Sequence, residues 1–326
     1  MAGYLAYKAI TGLASVLPRS FQYALARRLA GLHYLCDRRA RLSVIANMRV
    51  ILGKEADEKS IRREARRVFS SFGLYLCEFF GHRKFGPAFI DKHVQVKGLE
   101  HLQAALAAGR GALFCSAHYS NWELGATVVA HLGYPILAVV QKHSEERSNS
   151  LFVKQREEAG VQVVHSLQGA TAALKALRHN QTVALLGDRT TGGPVVMAQL
   201  FSRPTPLPQG PWRIALLSGA ALLPTFVLRR PDGGYILEIG APLATPETGL
   251  RAERLAALAR AWARCLEERL RADPSQWAVF FKVWDEEPKN NAFGTCQAAL
   301  PQHHSPRGKE DAAEAVLACA CEDGKP

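Results

Sequence analysis

The sequence predicts an α/β fold in which helices flank a central, largely parallel sheet, preceded by a helical N-terminal region. From His93 onward, short β-branched or apolar runs alternate with helical stretches, which is the order typical of parallel α/β sheets. Before that point, apolar residues follow helical spacing beside clusters of arginine. The 326 residues, of which 48% are hydrophobic, suffice for one large domain or two modest ones.

The N-terminal region, residues 1–92, carries most of the positive charge. It contains 17 Lys and Arg against 7 Asp and Glu, a net charge of +10. Apolar residues at near-helical spacing predict helices over 20–34 and 56–80, each next to arginines. Two interpretations remain open: helices lying at an anionic membrane interface, or a helical subdomain packed on the core with a solvated basic rim.

The following region, 93–287, contains the alternating elements. Strands are predicted at 94–97, 112–116, 135–140, 161–165, 182–186, 222–228 and 235–239, the last two forming a hairpin across 231–234. Helices are predicted at 99–108, 122–132, 145–159, 170–179 and 251–271. Residues 288–326 are polar and poor in bulky apolar side chains, which predicts a flexible tail.

Composition narrows the possible partners and compartment. The net charge of +12 favours an acidic partner: nucleic acid, an anionic membrane or a phosphorylated substrate. No apolar run is long enough to span a membrane, and the short apolar N-terminus, interrupted by Lys8, is expected to be retained. Seven scattered cysteines without a CxxC pair indicate reduced thiols in a cytoplasmic setting. No metal is expected, because the sequence contains neither an H-E-x-x-H motif nor a paired cysteine cluster, and the cysteines and histidines of the tail match no standard zinc spacing. No cofactor is expected either.

One motif stands at a strand end, where open α/β sheets bind ligands. The apolar run 112–116 is followed by His118 and then by a predicted helix with Glu123 in its first turn. There the carboxylate is expected to accept the Nδ1 proton of His118 and leave Nε2 free as a base. Such a pair suits deprotonation of a hydroxyl that attacks a thioester in acyl transfer. The alternative is a capping box, in which Ser120 and Glu123 only cap the N-terminus of the helix and take no part in chemistry.

The order of several motifs resembles a known family. Four further motifs follow the His-x4-Glu motif in order. They are an Asn…Arg pair at 149–156, a Gly-Asp-Arg loop at 187–189, a Phe…Gly…Gly-Ala…Pro segment at 201–224 and a Pro-Ser-Gln-Trp segment at 274–277. This order resembles the bacterial lipid A biosynthesis lauroyl/myristoyl acyltransferase family, within the lysophospholipid acyltransferase superfamily. It also resembles phosphatidylinositol mannoside acyltransferases. The sequence departs from the family pattern at Gln141-Lys142, Arg189 and Phe281-Lys282.

The resemblance implies a membrane-associated acyltransferase on the cytoplasmic face of the inner membrane. Acyl carrier protein or coenzyme A would be the donor, and the acceptor would be a hydroxyl of a glycolipid such as a lipid A precursor, or of an inositol glycolipid, phospholipid or aminolipid. His118 would be the base and Glu123 its partner. The substrate-binding residues implied are Asn121, Lys142, Arg156, Asp188, Arg189 and Arg203.

Simpler roles and another class of protein remain alternatives. The cations singled out above could be ordinary surface charge, and Asp188 could satisfy loop amides. A non-catalytic lipid-binding or nucleic-acid-binding protein is the competing class. Nucleic acid is not expected, because the arginines lie among helix-face apolar residues and not among exposed aromatic side chains.

Overall fold

The computed structural model describes residues 11–12, 17–141, 146–190, 192–245 and 248–284, with only the backbone for 146–148. The predicted tail, 288–326, and Lys142 lie outside the described residues. Among the helices that are described, none is both long enough and apolar enough to cross a membrane.

The N-terminal region is helical, as predicted. It contains α1 (Arg19–Cys36), α2 (Arg38–Leu52), α3 (Glu58–Phe80), a 3₁₀ turn (His82–Phe85) and α4 (Pro87–His93). Asp37 and Asp57 cap α2 and α3 by accepting hydrogen bonds from the amides of Ala40 and Ser60, at 2.9 and 2.6 Å. The structure adds the helix α2, over residues for which the sequence pattern indicates no particular element.

A seven-stranded sheet forms the centre of the fold, in the order β1-β9-β8-β2-β5-β3-β4. Neighbouring strands are parallel except β8 and β9, which form the predicted antiparallel hairpin. The elements are β1 (Val94–Lys97), α5 (Leu99–Ala107), β2 (Ala112–Ser116), α6 (Trp122–His131), β3 (Ile136–Val140), α7 (Glu146–Glu158), β4 (Gln162–His165), α8 (Ser166–Arg178), β5 (Thr182–Leu186), β6 (Val195–Leu200), β7 (Arg203–Pro208), α9 (Gly210–Ser218), β8 (Ala221–Arg229), β9 (Tyr235–Ile239) and α10 (Arg251–Ala272). The predicted α/β class with a mostly parallel sheet is therefore confirmed.

Two apolar clusters cover the sheet and bury its strands on both faces, as parallel sheets require. One includes the buried Trp212, Trp262 and Trp277 together with residues of α2 and α3. The other joins α4, α5 and α6 to β8 and β9. A separate two-stranded sheet, β6 with β7, packs on α10 and was not predicted from the sequence.

The register of β2 and β5 positions the candidate site. In this parallel pair Ser116 lies opposite Leu186, and Gly187 donates its amide to the carbonyl of Ser116 at 2.8 Å. A Cβ on Gly187 would come within 2.8 Å of Cys115 Sγ, so this close approach requires glycine. Two residues beyond the paired ends stand His118 and Asp188, which therefore meet at the carboxyl edge of the sheet.

Candidate active site

His118 and Asp188 form the centre of the site. The Nδ1 atom of His118 lies 2.8 Å from Oδ1 of Asp188. The other carboxylate oxygen accepts hydrogen bonds from the His118 amide at 3.0 Å and from Trp277 Nε1 at 2.9 Å. The Asp188 side chain is completely buried, whereas that of His118 is 20% exposed. The imidazole is thus fixed by a buried carboxylate and still accessible.

Asp188 is ionised at neutral pH. Burial raises its pKa, but the charge and hydrogen bond of His118, followed by Arg189 and Trp277, outweigh burial and lower the pKa to about 2. An ionised carboxylate can only accept hydrogen bonds, so Nδ1 of a neutral His118 must carry the proton. The lone pair is then on Nε2, the nitrogen that can act as a base.

The expected contact between Glu123 and Nδ1 of His118 is wrong. Glu123 does lie in the first turn of α6, after the loop that holds His118, as predicted. Its carboxylate, however, accepts two hydrogen bonds from Arg156 on α7, from Nε at 2.9 Å and from a terminal guanidinium nitrogen at 2.6 Å. The side chain of Arg156 is only 13% exposed and that of Glu123 only 19%. Asp188 takes the position beside Nδ1 because the strand register delivers it there.

The capping box offered as an alternative is also wrong. The N-cap of α6 is Asn121, whose side-chain oxygen accepts the amide hydrogen of Leu124 at 3.0 Å. Ser120 instead has a positive φ of 54°. Its hydroxyl is buried and finds no hydrogen-bond partner among the described residues.

Asn121 donates a hydrogen bond to Glu78, a buried acid that the sequence analysis does not identify. Its amide nitrogen donates to Oε2 of Glu78 at 2.8 Å. The carboxylate of Glu78 is fully buried and also accepts from Arg229 of β8, Tyr235 of β9 and Tyr23 of α1. The signal that could have identified it is a single acidic residue among the aromatic residues at the end of α3. Asn121, predicted to bind substrate, is 3% exposed and connects this network to the loop that carries His118.

The segment after α10 closes over the same loop. The amide of Ser120 donates to the Gln276 carbonyl at 2.7 Å, and the amide of Ala278 donates to the His118 carbonyl at 2.8 Å. Arg189 donates to the Ala278 carbonyl, and its guanidinium lies 5.9 Å from the centre of the Phe281 ring. Burial lowers the pKa of Arg189 despite the charge of Asp188. The Pro-Ser-Gln-Trp segment therefore fixes both the backbone around His118 and, through Trp277, the acid beside it.

The remaining predicted site residues are not all brought to this cluster. Arg203 is the first residue of β7, opposite Leu200 on the separate two-stranded sheet. Lys142 lies outside the described residues. Asn149, quoted above with Arg156, is buried on α7 and lies 3.3 Å from Nε2 of His165. In the described part of the chain, no group of three acidic, cysteine or histidine side chains is placed to hold a metal ion.

Comparison with known proteins identifies the family. A sequence model of the bacterial lipid A biosynthesis acyltransferase family matches residues 2–286. A phosphatidylinositol mannoside acyltransferase of Mycobacterium tuberculosis is 29% identical over 224 residues, which cover 66% of this chain and 68% of the relative. The enzyme of the same name in Mycolicibacterium smegmatis is 25% identical over 67% of this chain and 71% of its own. The lipid A biosynthesis lauroyltransferase of Escherichia coli is 28% identical over 59% of this chain and 63% of its own. The chain thus belongs to the bacterial lipid A biosynthesis acyltransferase family and is an acyltransferase with glycolipid acyltransferases among its homologues.

Proposed function

We propose that this acyltransferase moves a fatty acyl chain from a thioester, carried by acyl carrier protein or coenzyme A, to a hydroxyl of a membrane glycolipid. The supporting observation is the contact between Nδ1 of His118 and the ionised Asp188, which leaves Nε2 available as a base. The relatives extend this support, since their names give an inositol mannoside lipid and lipid A as the lipids concerned.

In the proposed reaction, Nε2 of His118 removes the proton of the acceptor hydroxyl while its oxygen attacks the thioester carbonyl carbon. The new C–O bond forms, and the C–S bond of the tetrahedral intermediate then breaks. The leaving thiolate takes the proton back from the imidazolium. Asp188 stabilises the imidazolium between the two proton transfers, and such general base catalysis contributes about 10²–10⁴-fold to the rate.

Glu123 and Arg156 support this reaction indirectly in the proposal. Two guanidinium nitrogens of Arg156 donate to Glu123 and the third to the Phe152 carbonyl at 3.4 Å. Arg156 is therefore occupied within the protein, and we assign it to fixing α7 against the start of α6. Arg189, Arg203 and Lys142 remain our candidates for contact with donor or acceptor phosphates, for which the planar guanidinium of arginine is suited.

We further propose that α1 attaches the enzyme to the anionic cytoplasmic surface of the inner membrane, as a peripheral or monotopic protein. Its buried side packs on α3, whereas the opposite side exposes a stripe of large apolar residues: Phe21, Leu25, Leu29, Leu32 and Leu35. Leu29 and Leu35 are 56% and 66% exposed. The exposed Arg27 and Arg28 lie on the same helix. An apolar stripe with adjacent arginines fits an anionic lipid surface.

The proposal is tested by mass spectrometry of total lipids from cells of the native host that express wild type or His118→Ala. A lipid heavier by one acyl chain, present only with wild type, would support it and would identify the acceptor and the chain length. His179→Ala, at an exposed position after α8, is the matched control and should behave as wild type. Identical lipids from folded, membrane-bound wild type and His118→Ala would overturn acyl transfer in favour of a binding role.

A further inference from the structure

The carboxylate of Glu78 lies near the end of α3, and its side chain has no exposed surface. Its Oε1 atom accepts hydrogen bonds from the hydroxyls of Tyr23 on α1 and Tyr235 on β9. Its Oε2 atom accepts from Asn121 at 2.8 Å and from Arg229 at 3.0 Å. Arg229 balances the buried negative charge, whereas the neutral amide of Asn121 adds a directional contact with the loop before α6.

The amide of Asn121 makes a hydrogen bond on each side. Its oxygen caps α6 by accepting the amide hydrogen of Leu124 at 3.0 Å, and its nitrogen donates to Glu78. A reversed amide would place the NH₂ group against the N–H of Leu124 and the oxygen against a carboxylate. Glu78 therefore fixes the side-chain orientation of the residue at which the loop ends and α6 begins.

The loop from His118 to Asn121 is short and is held at both ends. At its start, the amide of His118 donates to Asp188 at 3.0 Å. Near its end, Ser120 has a φ of 54°, in the left-handed region that residues other than glycine rarely occupy. Such a conformation persists where the surrounding contacts hold it. Loosening of Asn121 would thus allow the loop, and the imidazole three residues before it, to move.

A second set of contacts leads from Glu78 to the same loop. Arg229, which pairs with Glu78, makes two hydrogen bonds between its backbone and the side chain of Gln276, at 2.8 and 3.2 Å. The carbonyl of Gln276 in turn accepts the amide hydrogen of Ser120 at 2.7 Å. Glu78 therefore contacts Asn121 directly and is connected to Ser120 through Arg229 and Gln276.

We propose that Glu78 is a positioning residue for His118. Its hydrogen bond with Asn121 holds the loop so that Nε2 of His118 lies where it can remove the proton of the acceptor hydroxyl. Charge balance with Arg229 alone would require no contact with the loop. The inference rests on the proposed function, because the atom that is positioned is the base of that reaction. A misplacement of about 1 Å can slow an enzyme about 10²-fold, which sets the size of the expected effect.

The test removes the hydrogen bond to Glu78 and keeps the helix cap. In Asn121→Ser, the hydroxyl can still cap α6 but is too short to reach Glu78. Its kcat for acyl transfer should fall about 10²-fold, while the KM for the acyl thioester stays within about threefold of wild type. The double substitution Glu78→Gln/Asn121→Asp restores the hydrogen bond with donor and acceptor exchanged and keeps the net charge. It should return kcat to within about tenfold of wild type.

Tyr235→Phe is the matched control, because it removes another donor to the same carboxylate and leaves Asn121 in place. Both Tyr235→Phe and Asn121→Ser lose a buried hydrogen bond and should lower the melting temperature. Rates are therefore compared at a temperature at which every variant is folded. Tyr235→Phe should keep a kcat within about threefold of wild type, because its loss does not reach the loop.

Nitrogen-15 NMR of the His118 ring separates displacement of the ring from a change of tautomer. Asp188 still faces Nδ1 in Asn121→Ser, so the proton should remain on Nδ1 while kcat falls. A proton that moved to Nε2 would overturn the proposal, since the altered contact with Asp188 would then explain the slower reaction.

The kinetic results can overturn the proposal in other ways. A raised KM with unchanged kcat in Asn121→Ser would show that Asn121 binds substrate. An unchanged kcat in that variant, an equal loss in Tyr235→Phe, or a folded double variant that recovers no activity would leave Glu78 with a role in stability alone. Failure of wild type to transfer an acyl chain would refute the proposed function and this inference with it. Transfer that is equally fast in wild type and Asn121→Ser would refute this inference alone.

Discussion

Replacing Asp188 by asparagine should move the proton of His118 from one ring nitrogen to the other. In the wild type, Oδ2 of Asp188 accepts from two donors, the His118 amide and Trp277 Nε1, while Oδ1 faces Nδ1 of the ring. The asparagine oxygen should face those two donors, since an NH₂ group there would meet N–H groups. The amide nitrogen then faces Nδ1 and can only donate to it. The neutral ring must therefore carry its proton on Nε2, which can no longer act as a base.

The expected size of the effect follows from the role lost. Withdrawal of a general base slows the reaction roughly 10²–10⁴-fold, equivalent to about 2.7–5.5 kcal/mol in the activation free energy. Because Asp188 is completely buried and His118 lies between it and the solvent-accessible side, the KM for either substrate should change little. The fold should survive, since asparagine has nearly the same shape as aspartate.

The assay is single-turnover transfer from a radiolabelled acyl thioester to the lipid acceptor identified by mass spectrometry. Nitrogen-15 NMR of the histidine ring reports the tautomer independently of activity. Glu123→Gln is the comparison, because its carboxylate binds Arg156 and not the imidazole. A rate within threefold of wild type for Asp188→Asn, together with a hundredfold loss for Glu123→Gln, would refute this reasoning and restore Glu123 as the partner of His118.

The other expected outcomes concern stability and membrane binding. Glu123→Gln should lower the free energy of unfolding by about 1–3 kcal/mol in urea titrations, because it removes the negative charge opposite the mostly buried Arg156. The additional change Arg156→Met should recover much of the loss, and additive effects of the two substitutions would argue against coupling. The Asp188 pKa, lowered from 3.8 to about 2, should stabilise the fold by roughly 2 kcal/mol above pH 4, and this contribution should disappear as the pH falls towards 2. Urea titrations of Asp188→Asn should lack that acid-sensitive component, and an identical pH dependence in wild type would contradict it. Leu29→Asp should weaken binding to anionic vesicles about tenfold or more in a flotation assay, while Leu167→Asp, at an 83% exposed leucine on α8, should not; equal losses would show that α1 has no special role.

Much of the fold could be predicted because its signals are local. Apolar strand runs alternate with amphipathic helices, and that alternation survives in a single sequence. The β6–β7 pair was missed because β7 contains Pro204, Pro206 and Pro208, which normally argue against a strand. In the structure these prolines alternate with the buried Thr205 and Leu207 in a two-stranded sheet, where few ladder hydrogen bonds are required of them.

In the site, too, the features set by nearby residues could be predicted, whereas the contact between residues distant in the sequence could not. The sequence placed His118 in a loop and Glu123 in the first turn of the next helix, and both positions are correct. It assigned the wrong acid to Nδ1, because the actual partner stands 70 residues further along the chain. What joins them is the parallel register of Ser116 with Leu186, and no spacing within one segment reveals which strands will become neighbours.

The buried Glu78 connects the proposed membrane helix to the loop that carries His118. On one side it accepts a hydrogen bond from Tyr23 of α1 at 2.6 Å, and on the other from Asn121 at 2.8 Å. Burial, reinforced by the charge of Glu78, raises the pKa of Tyr23 to about 12, so the phenol keeps the proton it donates. The Glu78 side chain has no exposed surface, and its ion pair with Arg229 makes the buried charge tolerable. The helix α1 therefore contacts Glu78 through Tyr23 on one side and exposes its apolar stripe on the other. One buried carboxylate thus connects the side chains that would meet the lipid to the loop that carries the base.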